Sequence, residues 1–155
     1  TAMFALPFNA SSQLVVNGGG TPTSIINALV GAGLTINNVQ LNCGADSPTA
    51  AYGTFNGLSS NIGIGNGIML TSGSATNAIG PNNQTSAGTN NNVSTVDPQL
   101  TAIEPLATHD LCVLEFDIVP HCSSIQIRFV FGSEEYPEFV NSDRKSTRLN
   151  SSHRT

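Results

Sequence analysis

Hydrophobic and polar residues alternate in two neighbouring runs towards the C-terminal end of the chain. The first run covers residues 112–119 and the second covers residues 125–131, with a short connection that begins at Pro120. A period of two over this length is typical of half-buried β-strands, and the connection has the length usual for a hairpin. The pattern therefore predicts an antiparallel hairpin with one apolar face.

The register of this hairpin follows from the requirement that both apolar sets lie on the same face. The requirement is met when Ile118 faces Ile125, and Glu115 then lies directly opposite Arg128. Arg128 is the only lysine or arginine before residue 143, so its position opposite a carboxylate supports the register independently. We expect a cross-strand ion pair that contributes about 0.2–1 kcal/mol.

Acidic side chains gather at the open end of the same hairpin. The continued ladder brings four carboxylates towards one corner: Asp110, Glu134, Glu135 and Glu138. Carboxylates without a basic neighbour repel one another unless they are hydrated or share a cation. Calcium binds several carboxylate and carbonyl oxygens at once, so we predict a structural calcium site here. A hydrated acidic rim and a catalytic pair of carboxylates are the alternatives.

The chain upstream of the hairpin predicts further short strands and little helix. Thr21 before Pro22 starts a short amphipathic helix that ends at Gly31 or Gly33, and Asp97 before Pro98 starts a helical turn. Strands are predicted at residues 14–16, 51–55 and 68–71, and one or two strands are predicted at residues 34–41, with a turn or bulge at Asn37 and Asn38. The fold class is therefore mainly β, an antiparallel β-sandwich or jelly-roll-like fragment with one or two short helices.

Charge excludes one class of partner. Residues 1–142 carry nine acidic side chains and one basic side chain, a net charge of −8. Binding to the phosphate backbone of nucleic acids requires clustered Lys and Arg, so we exclude nucleic acid, and we expect no membrane insertion by this segment.

The sequence alone does not decide whether the three cysteines form a disulfide. Cys112 and Cys122 lie at opposite ends of one extended strand, too far apart for a disulfide. Cys43 can form a disulfide with either of them, or a partner cysteine can lie in a missing part of the chain. The alternative is that all three cysteines are reduced, buried thiols.

The two ends of the chain differ from the middle. Residues 1–12 are interpreted as the remnant of a secretory signal peptide or as an N-terminal strand. Residues 143–155 are interpreted as the translation of a sequencing adapter, an artefact of metagenomic sequencing, because their composition changes abruptly to basic. This leaves residues 13–142 as a single truncated β domain.

Several motifs together resemble the choice-of-anchor L domain family of bacterial surface proteins. They are QLVVN at 13–17, SIINALVGAGLTINNVQLN at 24–42, NIGIGNGIMLTSGSATNAIGPNN at 61–83, DPQL at 97–100, HDLCVLEFDIVP at 109–120 and FVFGSEEYPEFVNS at 129–142. The resemblance implies a secreted or cell-surface module. Family members continue with further strands, so it also implies that the C-terminal half of the domain and the anchor are missing here.

The expected function is a non-catalytic one. We expect an extracellular module that serves adhesion through an extracellular glycan or protein ligand, such as matrix or carbohydrate, and that calcium stabilises. The alternative is a fragment of a carbohydrate-active hydrolase that uses two of the clustered carboxylates.

Overall fold

The computed structural model describes residues 14–43, 50–81, 88–89 and 96–133. Within these ranges the chain forms five strands, β1 to β5, and two α-helices, α1 and α2. The strands are Val15–Gly18, Leu34–Cys43, Tyr52–Asn56, Asn66–Leu70 and Cys112–Pro120. The α-helices are Pro22–Leu29 and Pro98–Ile103, and a short 3-10 helix covers Ala75–Ile79.

The strands form two antiparallel sheets. One sheet has the order β1-β3-β4, and the other pairs β2 with β5. The prediction of a mainly β, sandwich-like fold with two short helices is therefore confirmed.

Both helices begin where the sequence predicts. The Thr21 side chain accepts a hydrogen bond from the Ser24 backbone N–H at 3.1 Å, and Pro22 occupies the first helical turn of α1. Asp97 caps α2 by accepting from two backbone N–H groups. A capping oxygen and a first-turn proline satisfy or remove N–H groups that have no partner within the helix, so these short segments start at a defined residue.

The core lies on both faces of the three-stranded sheet. On one face, Leu14 and Val16 pack with Ala75 of the 3-10 helix. On the other face, Tyr52 packs with Ile25 of α1 and with the apolar side of the β2–β5 sheet. The side chains that this sheet contributes are Leu41, Cys43, Cys112 and Leu114. The two sheets are thus joined through α1 and one shared cluster.

A β-bulge keeps the apolar side of β2 in phase. The pairing shifts by one residue between Asn37 and Gln40, where Asn38 and Val39 both lie opposite the single residue Phe116. Because side chains alternate along a strand, one extra residue moves the apolar positions from even to odd numbers without changing the face on which they lie. The prediction of an irregularity at the asparagine pair is confirmed.

The predicted hairpin partner of β5 is wrong. β5 pairs with β2 from Leu34 opposite Pro120 to Cys43 opposite Cys112, and residues 124–133 belong to no strand. The backbone N–H of His121 donates to the Gly33 carbonyl at 2.9 Å, which extends the pairing with β2 by one residue. The apolar side of β5 is therefore matched by a distant strand rather than by the next run along the chain.

One of the open cysteine pairings is realised. Cys43 and Cys112 are directly opposed in the ladder and form a disulfide, while Cys122 is a free, exposed thiol. The exclusion of a Cys112–Cys122 disulfide is confirmed, and the reading of all three as reduced thiols is wrong.

None of the helices in the described part of the chain has the length and hydrophobicity that are needed to span a bilayer.

Removal of this disulfide will destabilise the fold. Cys43 and Cys112 are 69 residues apart in sequence, so the cross-link restricts a large loop of the unfolded chain. We expect Cys112→Ser to lower the free energy of unfolding by about 2–5 kcal/mol, measured by urea denaturation. The matched control, Cys122→Ser, changes an exposed thiol and will shift it by less than about 0.5 kcal/mol. Equal losses in the two variants would contradict the assignment.

Candidate functional site

Asp110 lies in a bend two residues before the start of β5. Its backbone adopts a positive φ of 55°, and the next residue, Leu111, is buried. Beside it, the Thr108 hydroxyl and the Nδ1 atom of His109 are 2.8 Å apart and share a hydrogen bond. Asp110 therefore occupies a defined turn at the end of the β2–β5 sheet, at the same end as the disulfide.

The other predicted calcium ligands, Glu134, Glu135 and Glu138, lie outside the described residues. Within the described ranges no group of three or more His, Cys, Asp or Glu side chains is placed to hold a metal ion. The hairpin ladder that was expected to bring these glutamates beside Asp110 is not formed in the described residues, so the four-carboxylate site stays a prediction with one of its members located.

The predicted ion pair between Glu115 and Arg128 is wrong. Glu115 lies opposite Gln40 in the ladder. The Nη2 atom of Arg128 instead donates to the Gly63 carbonyl at 3.2 Å, in the loop between β3 and β4. The ion pair fails for the same reason as the hairpin, since the segment that carries Arg128 does not run beside β5.

The side of the β2–β5 sheet that faces away from the core carries amide and carboxylate groups. Alternation with the core-facing cysteines places exposed polar side chains there, and we call the five that carry an amide or a carboxylate the amide–carboxylate face: Asn37, Gln40, Asn42, Glu115 and Asp117. The remaining neighbours on this side are Thr35 of β2 and apolar residues of β5. The face is an open strip of hydrogen-bonding groups rather than a closed pocket.

Each carboxylate on this face has an amide directly across from it. Asp117 lies opposite Asn37, and Glu115 lies opposite Gln40. Directly opposed side chains in an antiparallel pair are about 5 Å apart at Cβ, close enough for a shared ligand to reach both. A primary amide supplies two donors and an acceptor, while a carboxylate only accepts. The strip therefore offers donors and acceptors at short intervals, which is the pattern that suits hydroxyl-rich ligands.

The bulge holds one of these carboxylates in position. Asn38 has a positive φ of 51°, and its side-chain amide donates to the Oδ2 atom of Asp117. Asn tolerates the left-handed region better than most residues, so it suits this position of the bulge. An open depression of about 820 Å³ lies at the bulge and is lined by residues 38–40 of β2 and 114–118 of β5.

A second groove separates α1 from β2. It has a volume of about 450 Å³, and its lining includes Ile26 and Val30 from the helix side and Leu34 and Ile36 from the strand. Its lining also includes the polar residues Thr23 and Asn27, and it lies on the core side of the β2–β5 sheet. It is therefore a gap at the edge of the core, separate from the amide–carboxylate face.

Sequence reasoning missed the amide–carboxylate face. The polar members of the alternation at residues 35–42 and 113–119 were visible, but they form one surface only when β2 pairs with β5. The useful signal was the asparagine pair within β2. An extra residue there brings the apolar positions before and after it onto one face, and that face can then pair with the apolar positions of β5.

Comparison with models of protein families matches residues 15–147 to the choice-of-anchor L domain. This match covers most of the chain and confirms the resemblance that the motifs indicated. Searches of curated proteins and of solved structures found no match.

The Asn38 contact gives a test of how the bulge is held. We expect Asn38→Ala to lower the free energy of unfolding by about 1–2 kcal/mol, because alanine keeps the cost of the positive φ and loses the bond to Asp117. Asn38→Gly will cost less than Asn38→Ala, since glycine adopts this φ without steric cost. Asn37→Ala, on the neighbouring exposed residue, is the control, and urea denaturation is the measurement. If glycine were as costly as alanine, the backbone explanation would be wrong.

Proposed function

The chain belongs to the choice-of-anchor L domain family, a family of secreted and surface modules that is not a known enzyme family, and from this premise we propose that it is a non-catalytic adhesion module. The ligand class we propose is an extracellular glycan. The observation that carries the proposal is the amide–carboxylate face, an exposed strip of alternating donors and acceptors on a rigid sheet.

The rigidity of this strip supports a binding role. The two strands that carry it are joined by the Cys43–Cys112 disulfide at one end and by the Asn38–Asp117 bond near the bulge. Polar groups that are already fixed lose less conformational entropy when a ligand binds. The disulfide also supports an extracellular location, because disulfides persist in oxidising compartments.

The chemistry of the strip supports a glycan more than a nucleic acid or an anionic surface. Its charged members are carboxylates, which repel phosphate groups, whereas sugar hydroxyls both donate to carboxylates and accept from amides. No deep pocket is required, since an open face of a sheet can contact several residues of a polymer at once.

We propose that calcium stabilises the module at its acidic corner, with Asp110, Glu134, Glu135 and Glu138 as the ligands. The support for this is the location of Asp110 in a fixed turn at the sheet end, together with the excess of acidic residues. Carboxylate oxygens are the ligands that calcium prefers.

Binding to insoluble polysaccharides tests the proposed function. The full chain is mixed with cellulose, chitin, xylan or peptidoglycan, and the bound fraction is measured after sedimentation. We expect at least one polymer to retain the chain, and Gln40→Ala or Asn42→Ala to weaken this binding about two- to tenfold, through lost hydrogen bonds. Gln99→Ala, an exposed glutamine on α2, is the control. Binding that is equal in all variants, or retention by a protein matrix alone, would contradict the proposal.

Calcium dependence is tested by thermal unfolding. With calcium in large excess over its dissociation constant, we expect the melting temperature to rise by several degrees relative to chelator, because the ion binds only the folded chain. Asp110→Asn will reduce this rise, and the asparagine keeps the turn because it also tolerates a positive φ. Glu115→Gln, a carboxylate remote from the corner, is the control. An equal rise in Asp110→Asn and in the unsubstituted chain would remove Asp110 from the site.

A further inference from the structure

The segment of residues 125–131 has the composition of a strand but is not part of a sheet. Apolar and polar residues alternate from Ile125 to Phe129, and the segment belongs to no helix or strand. Its apolar side chains are largely solvent-exposed, to 76% for Ile127 and 67% for Phe131. A run of exposed alternating apolar residues is a sequence that favours pairing with an open sheet edge.

Strand β5 offers such an edge. Among the described residues it pairs with β2 alone, so its second row of backbone donors and acceptors is not used by a neighbouring strand. The apolar side of β5 is also incompletely covered near its C-terminal end, where Ile118 is exposed. A strand added here would cover that end and extend the core-facing side of the sheet.

The segment and the edge are complementary in both hydrophobicity and charge. When Ile125 is opposed to Ile118 in an antiparallel ladder, Ile127 lies opposite Phe116 and Phe129 lies opposite Leu114, so these apolar residues share one face. On the other face, Arg128 lies opposite Glu115. Arg128 is the only lysine or arginine before residue 143, so this complementarity is specific to one register.

Within one chain, the segment of residues 125–131 does not reach the open edge of β5. After Pro120 the backbone stays beside β2, where the His121 N–H donates to the Gly33 carbonyl at 2.9 Å. Arg128 then reaches the Gly63 carbonyl, in the β3–β4 loop. The segment is thus directed away from the open edge of its own β5.

We propose that the open edge of β5 binds residues 125–131 of a second copy of this chain, and that two copies exchange these segments reciprocally. Each copy carries both the open edge of β5 and the segment of residues 125–131. A twofold arrangement therefore forms two identical contacts, and the β5 edge of each copy is covered by the segment of the other. Each contact adds a third strand to a β2–β5 sheet and places Arg128 of one copy beside Glu115 of the other.

Charge reversal tests the proposal with the full chain, by light scattering after gel filtration and by native mass spectrometry. We expect the unsubstituted chain to dimerise, and Glu115→Arg or Arg128→Glu alone to weaken the dimer about tenfold or more, because each change creates two like-charge contacts. An equimolar mixture of the two variants will form heterodimers, since both contacts then pair opposite charges. Gln99→Arg is the control for added positive charge.

A mixture that dimerises no better than its separate components would overturn the proposal, as would an unsubstituted chain that is monomeric at the highest attainable concentration.

Cross-linking gives an independent measurement if a charge variant does not fold. In a Cys122→Ser background, Val113→Cys mixed with Val130→Cys will form an intermolecular disulfide, because these positions are opposed in the register. Val113→Cys mixed with Gln126→Cys is the out-of-register control, and equal cross-linking in the two mixtures would also overturn the proposal.

Discussion

The pairing of β2 with β5 is the interaction on which the rest of the structure depends. It joins segments that are 69 residues apart at their disulfide-bonded ends, and it supplies four of the side chains that close the core against Tyr52 and Ile25. Forming such a long-range contact costs loop-closure entropy, which hydrogen bonding along the ladder and the burial of its apolar side offset. The disulfide reduces that cost by restricting the unfolded chain. Without this pairing, α1 would cover only one sheet, and the amide–carboxylate face would not exist.

Because of the bulge in β2, the β2–β5 sheet has one apolar side and one polar side. A regular β2 would present Leu34 and Ile36 on one face but Leu41 and Cys43 on the other, and the disulfide could then form only with half of the apolar residues turned to solvent. The extra residue at Asn38 resolves the conflict by shifting the phase once. The same position supplies the amide that binds Asp117. One local irregularity thus aligns the core, the disulfide and the polar face.

Local features of this fold could be predicted from the sequence, but the pairing of its strands could not. The starts of both helices could be predicted from Thr21 with Pro22 and from Asp97 with Pro98, because capping depends on residues a few positions apart.

The alternation at residues 112–119 predicted β5 correctly. Its predicted partner was wrong because the adjacent run at residues 125–131 matches the apolar pattern of β5 as β2 does. That run also carries Arg128, whereas β2 has no charged residue, and a short connection favours a hairpin. The Cys43–Cys112 pairing was among the alternatives, and only the three-dimensional contact selects it. Of the four carboxylates predicted at the acidic corner, Asp110 is the one within the described residues.

The charge distribution explains why the polar face can exist in so acidic a chain. On the amide–carboxylate face the two acids lie opposite neutral amides rather than opposite each other, and the side-chain amide of Asn38 donates to one of them. A neutral donor stabilises a carboxylate without cancelling its charge, so the face keeps its capacity to accept hydrogen bonds from a ligand. A lysine or arginine across the strands would instead occupy those oxygens in an ion pair. The scarcity of basic residues, on which our expectation of no nucleic-acid partner rests, therefore also keeps lysine and arginine away from the positions opposite these two carboxylates.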